Sequence, residues 1–343
     1  MRTSSRRGGP SWSPIRGGGD VLENHAQTRL RFWETCGRSI GFRRRARAAA
    51  VTLSALATAA LAIAAVVPGA PIAGAVAAAD SPVRVVAAEN FWGNIASQIG
   101  GRDVQVTSLI TDPNADPHLF ETNAQDAATL AQAQVVIENG AGYDTWMSSL
   151  LAADGGHPRI VTAASVLHVG GSDPNPHLWY DIPRVPAVAA AMASALTKAA
   201  PQDASTFSKN LLTFDRSLAP LKQTIASIEQ QFHNVPVAYT ERVPGYLLAD
   251  AHLDVKTPPG FARARVDAVA MRRLITNHDI NVLLYNVQTV TPVTTEMRSL
   301  AKQHDIPVVG VSETMRAGAS TYQQWQRSQL QNLLHALQQS RNP

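Results

Sequence analysis

Apolar positions in this chain fall into short β-branched runs separated by stretches of helical spacing. Val83 to Asn90 (VRVVAAEN) is a near-continuous apolar run, the mark of a buried strand, and FWGNIASQIGG after it steps at helical intervals. VQVTSLI (Val104 to Ile110) predicts the next strand, and Asn123 to Ala133 a helix. VVIENG (Val135 to Gly140) predicts a buried strand, followed by a helix at Asp144 to Ala153, a short strand RIVTAA and an alanine-rich helix at Pro186 to Ala200. The same rhythm resumes late in the chain. VPVAYTE (Val235 to Glu241), NVLLYN (Asn281 to Asn286) and IPVVGVSE (Ile306 to Glu313) predict strands, interleaved with helices at VPGYLLADAHL, Asp267 to Asn277 and Thr294 to His304. Gln323 to Gln339 predicts a closing helix with a polar face.

Short strands alternating with helices of this length predict an α/β fold of parallel βαβ units. Asp203 to Phe232 is the longest helical stretch, with Phe207, Leu211, Phe214, Leu218, Leu221, Ile225 and Ile228 at steps of three and four. It is expected to be one long connector helix between two βα domains, 80–202 and 234–343. Pro220 inside it should bend or break it, because proline lacks the N–H and crowds the carbonyl four residues back.

Charge and composition sharpen this picture at the N-terminus. The formal charge of +4 and pI near 9.4 suggest nucleic acid. Residues 1–47, however, hold 11 Arg against Asp20, Glu23 and Glu34, and the remaining 19 basic and 23 acidic residues leave the body at −4. Nucleic-acid binding is therefore not expected. No charged residue occurs from Ala48 to Ala79; FRRRAR precedes this segment and AVAAAD ends it. That order is the order of an export signal, with cleavage expected after Ala78 or Ala79 and residues 1–79 as leader. The alternative is an uncleaved anchor, since about 20 apolar residues span a bilayer. Cys36, the single cysteine, lies within the leader, so the exported body would have no disulfide, thiolate ligand or cysteine nucleophile.

Two stiff loops carry the candidate chemistry. DPNADPHLFE (Asp112 to Glu121) presents His118, and DPNPHLWYD (Asp173 to Asp181) presents His177 fifty-nine residues later. Prolines fix the backbone before each imidazole, and neutral imidazole is the commonest side-chain metal ligand. Glu241 and Glu313 end predicted strands at further gaps of 64 and 72 residues. Ligands of parallel sheets gather at the carboxyl ends of strands. Two imidazoles and two carboxylates suit Zn²⁺, Mn²⁺ or Fe²⁺, in a cleft between the two domains. Taken singly, each residue has a plainer reading as a surface group or a helix cap; the joint pattern is what points to a metal.

These motifs resemble the solute-binding proteins of zinc and manganese ABC importers, the cluster A-I family, over about Val83 to Gln339. Asp116-Pro117-His118 with Glu121 matches the family's first ligand motif, and VVIENGAGYDTW matches the stretch after it. Asn175-Pro176-His177-Leu178-Trp179 matches the second motif, with Asp181 two residues on, and FSKNLLTFDRSLAPLKQTI matches the connector. The resemblance implies His118, His177, Glu241 and Glu313 as ligands of one transported divalent ion. Glu241 stands where many zinc binders have His and many manganese binders Glu; Glu313 stands where most members have Asp, a longer carboxylate than usual. The Glu and the lack of a His-rich loop point to manganese, while general ligand affinity favours zinc. Ser312 and Thr314 are alternatives to Glu313. Asp181, Trp179 and Glu121 are expected around the ligands: Asp181 to fix a histidine tautomer, Trp179 with Tyr180 to pack over the site. His168 is an alternative ligand; His233, His252, His278, His304 and His335 are expected on helix surfaces or ends.

The function implied is an exported, extracytoplasmic protein that captures Zn²⁺ or Mn²⁺ and passes it to a membrane ABC permease, acting as a monomer. It would not be an enzyme, since four protein ligands leave no open position for an activated water. A secreted metal-dependent hydrolase, with Glu121 or Glu241 as base, is the rival. The chain has no HExxH helix and no GxSxG elbow to support it. A surface adhesion protein of the same fold is a third reading.

Overall fold

The apolar run at Val83 forms strand β1 (Val83–Glu89), six of whose seven residues are buried. A strand covered on both faces reads as continuous hydrophobicity, which is why β1 shows no alternation. The computed structural model describes residues 81–259 and 268–341; the expected leader, 1–79, lies outside them. After β1 come α1 (Asn90–Gly100), β2 (Val104–Ile110), α2 (Ala124–Leu130), β3 (Val135–Glu138), α3 (Thr145–Asp154), β4 (Arg159–Thr162), α4 (Ala163–Val166) and α5 (Val185–Ala199). The four strands form a parallel sheet in the order β2-β1-β3-β4, with Val83 beside Val104 and Val85 beside Val135.

The second half repeats the plan. β5 (Pro236–Tyr239), α8 (Gly245–Asp250), β6 (Asp254–Val255), α9 (Ala268–Thr276), β7 (Val282–Asn286), α10 (Pro292–Gln303) and β8 (Val308–Val311) build a parallel sheet ordered β6-β5-β7-β8. Both orders reverse direction beside their first strand, the position where open α/β sheets hold ligands. The two-residue β6 was not expected from the sequence, because two residues show no period.

The expected single connector is two helices, α6 (Ala204–Ser217) and α7 (Ala219–Phe232), meeting at Leu218. Pro220 is the cause. It falls in the first turn of α7, where its missing N–H costs nothing, and it could not have continued α6. The closing helix α11 (Tyr322–Gln339) differs from expectation in a second way: Gln323, Gln326 and Gln329 on its polar face are buried. Gln329 Nε2 donates to Ser312 Oγ in the C-terminal half, while Gln323 Nε2 donates to Ser217 Oγ on α6. One apolar cluster joins Val85 and Ile137 of the first sheet to Val237 and Leu284 of the second through α5, α6, α7 and α11. At its centre Phe91 packs on Trp179 and Trp325, with centroids 4.2 and 5.9 Å apart. Among the described residues, no helix is long and apolar enough to cross a membrane.

Candidate metal centre

The two histidine loops fold by the same local rule. In each, an Asx residue two positions before the histidine accepts the histidine's own backbone N–H: Asp116 Oδ1 from His118 at 2.9 Å, Asn175 Oδ1 from His177 at 3.3 Å. Asx turns of this kind, stiffened by the intervening Pro117 and Pro176, shape the backbone at each histidine through local contacts alone. Asp112 adds another turn upstream by accepting Asn114 N–H. The loop of His118 follows β2, as expected. His177 does not follow its strand directly, because α4 and a loop separate it from β4.

His118, His177 and Glu313 converge, their ligand atoms all within 4.8 Å of one another. Glu313 Oε2 lies 3.2 Å from His118 Nε2 and 3.6 Å from His177 Nε2. Side-chain exposure falls from 43% at His118 to 7% at His177 and 0% at Glu313, so the site opens past His118. The tautomer of His177 follows from its neighbour. Asn175 turns its amide Nδ2 to the carbonyl of Arg242, so its Oδ1 must be what faces His177 Nδ1 at 2.6 Å. Nδ1 therefore carries the proton and Nε2, buried without a hydrogen-bond partner, offers its lone pair to the cluster.

The charges are balanced against burial. Burial pushes the Glu313 carboxyl up, but the neighbouring imidazoles of His118 and His177 outweigh it and hold the group well below the usual carboxylate range. His118 is raised, first by its bond to Glu313, whereas burial lowers His177. Tyr143 Oη donates to Glu313 Oε2 at 2.8 Å, and burial, then the Glu313 charge, pushes its phenol far up, so it remains a donor.

Glu241 stands beside the triad without joining it. Asn286 Nδ2 donates to Glu241 Oε2 at 2.7 Å and also to Glu313 Oε1, bridging the two carboxylates, and Thr289 Oγ1 donates to Glu241 Oε1. Burial raises the Glu241 carboxyl, opposed by those bonds from Thr289 and Asn286. Ser312 and Thr314 are committed elsewhere: Ser312 Oγ accepts Trp325 and Gln329, and Thr314 Oγ1 accepts Gln288.

The surrounding residues divide. Trp179 is fully buried, its ring edge-on to His177 at 5.3 Å and against Tyr143 at 4.9 Å, so it walls the site with apolar surface. Asp181 does not fix a histidine tautomer; its carboxylate pairs with Arg184 at 2.5–2.6 Å, and Asn175 takes the role expected of it. The reason is distance along the chain: Asn175 lies within the turn that shapes His177, whereas Asp181 begins the turn that feeds α5. Glu121 is exposed and outside the cluster. His168, His252 and His278 occupy left-handed positions after helices, with φ of 53, 49 and 57°. Tyr143, Asn286, Gln288 and Asn139 were not anticipated. Asn139, just past β3, accepts Trp92 Nε1 and donates to the carbonyl of Pro176, tying the His177 loop to the sheet. The strand-end rule that singled out Glu241 and Glu313 points equally to Asn139 and Asn286.

A family model described as zinc-uptake complex component A, periplasmic, matches residues 85–336. The chain belongs to that family. Among its relatives it is 29% identical over 147 residues to the manganese-binding lipoprotein MntA of Bacillus subtilis, covering 41% of this chain and 48% of that protein. The chain spans about half the length of the curated relatives it matches. In fold it is similar to the periplasmic zinc-binding protein TroA of Treponema pallidum, with TM-score 0.64, 19% identity, and 75% of this chain and 99% of that one covered. FpvC of Pseudomonas aeruginosa, solved in complex with Mn²⁺, gives the same TM-score at 19% identity, covering 76% and 100%. The two-sheet α/β architecture is thereby one this chain shares with those solved structures.

Proposed function

We propose that this protein is an extracytoplasmic capture protein that takes up one Zn²⁺ or Mn²⁺ ion and delivers it to a membrane ABC importer. The observation that carries this is the meeting of two imidazole nitrogens from the N-terminal half with a fully buried carboxylate from the C-terminal half. We take His118, His177 and Glu313 as ligands and Glu241 as the fourth, reached through the shared Asn286 amide. The charges of two carboxylates balance a dication, and mixed N/O donors suit zinc and manganese. Residues 80–202 and 234–343 are then two metal-binding lobes joined by residues 203–233. Export is supported by the arginine-flanked apolar segment at Ala48–Ala79. Four protein donors leave no position for a reacting water, which favours binding over hydrolysis.

Stripping the protein with chelator and titrating Zn²⁺ and Mn²⁺ separately by calorimetry tests the reading. One site of submicromolar affinity is expected, with the thermal midpoint rising as metal is added and the stabilisation reaching about 2.7 kcal/mol at a hundred times Kd. No uptake of either ion would leave the hydrolase and adhesion readings standing.

A further inference from the structure

The C-terminal half grips the two histidine loops unequally. The His177 loop is held at several points. Arg242 forks onto the Asp173 carboxylate at 3.0 and 3.1 Å, Asn175 Nδ2 donates to the carbonyl of Arg242, and Tyr246 Oη to that of Asn175. Gly245 lies so close that a Cβ there would sit 2.7 Å from Asn175 Nδ2. The His118 loop has one such tie. Apart from the contact of His118 Nε2 with Glu313 Oε2 at 3.2 Å inside the site itself, the hydrogen bond that ties 112–121 to the C-terminal half among the described residues runs from Gln288 Nε2 to the carbonyl of Ala115, at 2.8 Å.

Gln288 also grips the Glu313 segment. Its Oε1 accepts the backbone N–H of Glu313 at 2.6 Å and of Thr314 at 3.3 Å, and its Nε2 donates to Thr314 Oγ1 at 2.8 Å. Both amide hydrogens and both lone pairs are thus used. A carbonyl at one end and two N–H groups at the other permit a single orientation of the amide, so the residue cannot flip to release one side. Its own N–H donates to Asn286 Oδ1, which joins it to the residue bridging Glu241 and Glu313.

We propose that Gln288 is a positioning residue, a latch that locks the His118 loop onto the Glu313 segment and sets how fast a bound ion leaves. The proposal rests on the metal-capture reading above. The His118 loop is the side that moves, since outside the contacts of both histidines with Glu313 it has one tie where the His177 loop has several, and His118 is the exposed ligand. Latch opening withdraws His118 alone and leaves His177 and Glu313 in place.

The test uses the full chain with Q288E and Q288L. Q288E keeps the shape but sets a carboxylate oxygen against the Ala115 carbonyl; Q288L removes the bonds without that repulsion and serves if Q288E does not fold. Two measurements are made: hydrogen exchange on metal-free protein, and stopped-flow release of Zn²⁺ into excess chelator. Exchange at 113–121 is expected to speed up while 173–181 is unchanged. Zinc release is expected to quicken by about tenfold to a hundredfold, with the association rate within about twofold. A general loss of stability would instead loosen both loops together. Equal loosening of both loops, or exchange and release at the parent's rates, overturns the latch. The exchange measurement needs no metal, so it judges the latch even where failure of the parent to bind zinc or manganese sinks the capture reading.

Discussion

Replacing Glu313 by Gln isolates the charge of the one fully buried candidate ligand. In the parent, Oε1 faces Asn286 Nδ2, and Oε2 faces Tyr143 Oη and the two imidazoles. A glutamine amide must direct its NH2 toward a donor whichever way it turns, so one buried donor loses its partner, at about 1–3 kcal/mol in the metal-free protein. The larger effect falls on binding. An ion entering the variant meets two imidazoles and Glu241 but lacks the carboxylate that offsets its charge. Removing one partner of a buried pair costs about 3–5 kcal/mol, which is roughly a hundredfold to a few thousandfold in affinity. Glu313→Asp keeps the charge and shortens the arm by one methylene, and should stay within about tenfold of the parent, since each 1.4 kcal/mol is tenfold. Competition against a chromophoric chelator, with Zn²⁺ and Mn²⁺ in separate experiments, reads both numbers; the thermal midpoint of each metal-free variant checks folding. E313Q binding within about threefold of the parent would refute Glu313 as a ligand and with it the convergence argument.

Gly140, at φ +75°, follows β3 where an added Cβ would lie 2.7 Å from Thr162 Cγ2 and 3.0 Å from Ala164 Cβ. Gly140→Ala should therefore cost about 2–4 kcal/mol from the left-handed backbone and the overpacking together, read as a drop of the thermal midpoint; an unchanged midpoint contradicts the geometry. Glu89 is fully buried, and burial, then the charges of Asp144 and Glu138, raise its carboxyl well above 4.5. A carboxyl raised in the folded state contributes stability below its unfolded pKa and loses it as pH rises through the folded value. The thermal midpoint of the parent should thus decline as pH climbs from about 5 toward alkaline, and Glu89→Gln should flatten that decline. A variant with the parent's slope and a lower midpoint at pH 8 would show that Glu89 is not the source.

Much of this is legible in the sequence. β1 and β3 are buried runs and β2 a half-buried one that is rich in β-branched residues, so the sequence pattern finds all three directly. Asp-Pro-His and Asn-Pro-His define their own turns, so His118 and His177 could be singled out from a few adjacent residues. Strand ends gave Glu241 and Glu313. The residues that went unseen act through partners far along the chain. Asn286 and Gln288 matter because β7 brings them beside β8 and the first histidine loop, 173 residues away in the case of Ala115. Asp181 was misjudged for the converse reason: it is near His177 in sequence, but the local turn directs it to Arg184. The buried glutamines of α11 were hidden too, since a polar stripe on a helix signals solvent unless a second polar surface waits opposite it.

That final helix has a consequence for how the chain is made. Asn94 on α1 donates to the carbonyl of Ser320 and accepts the backbone N–H of Tyr322, a closure across 228 residues. Tyr322 and Gln326 also donate to the carbonyl of Trp179, two positions past His177. The N-terminal half therefore cannot complete its contacts until the segment at 320–326 has been made. Contacts of such separation are slow to form.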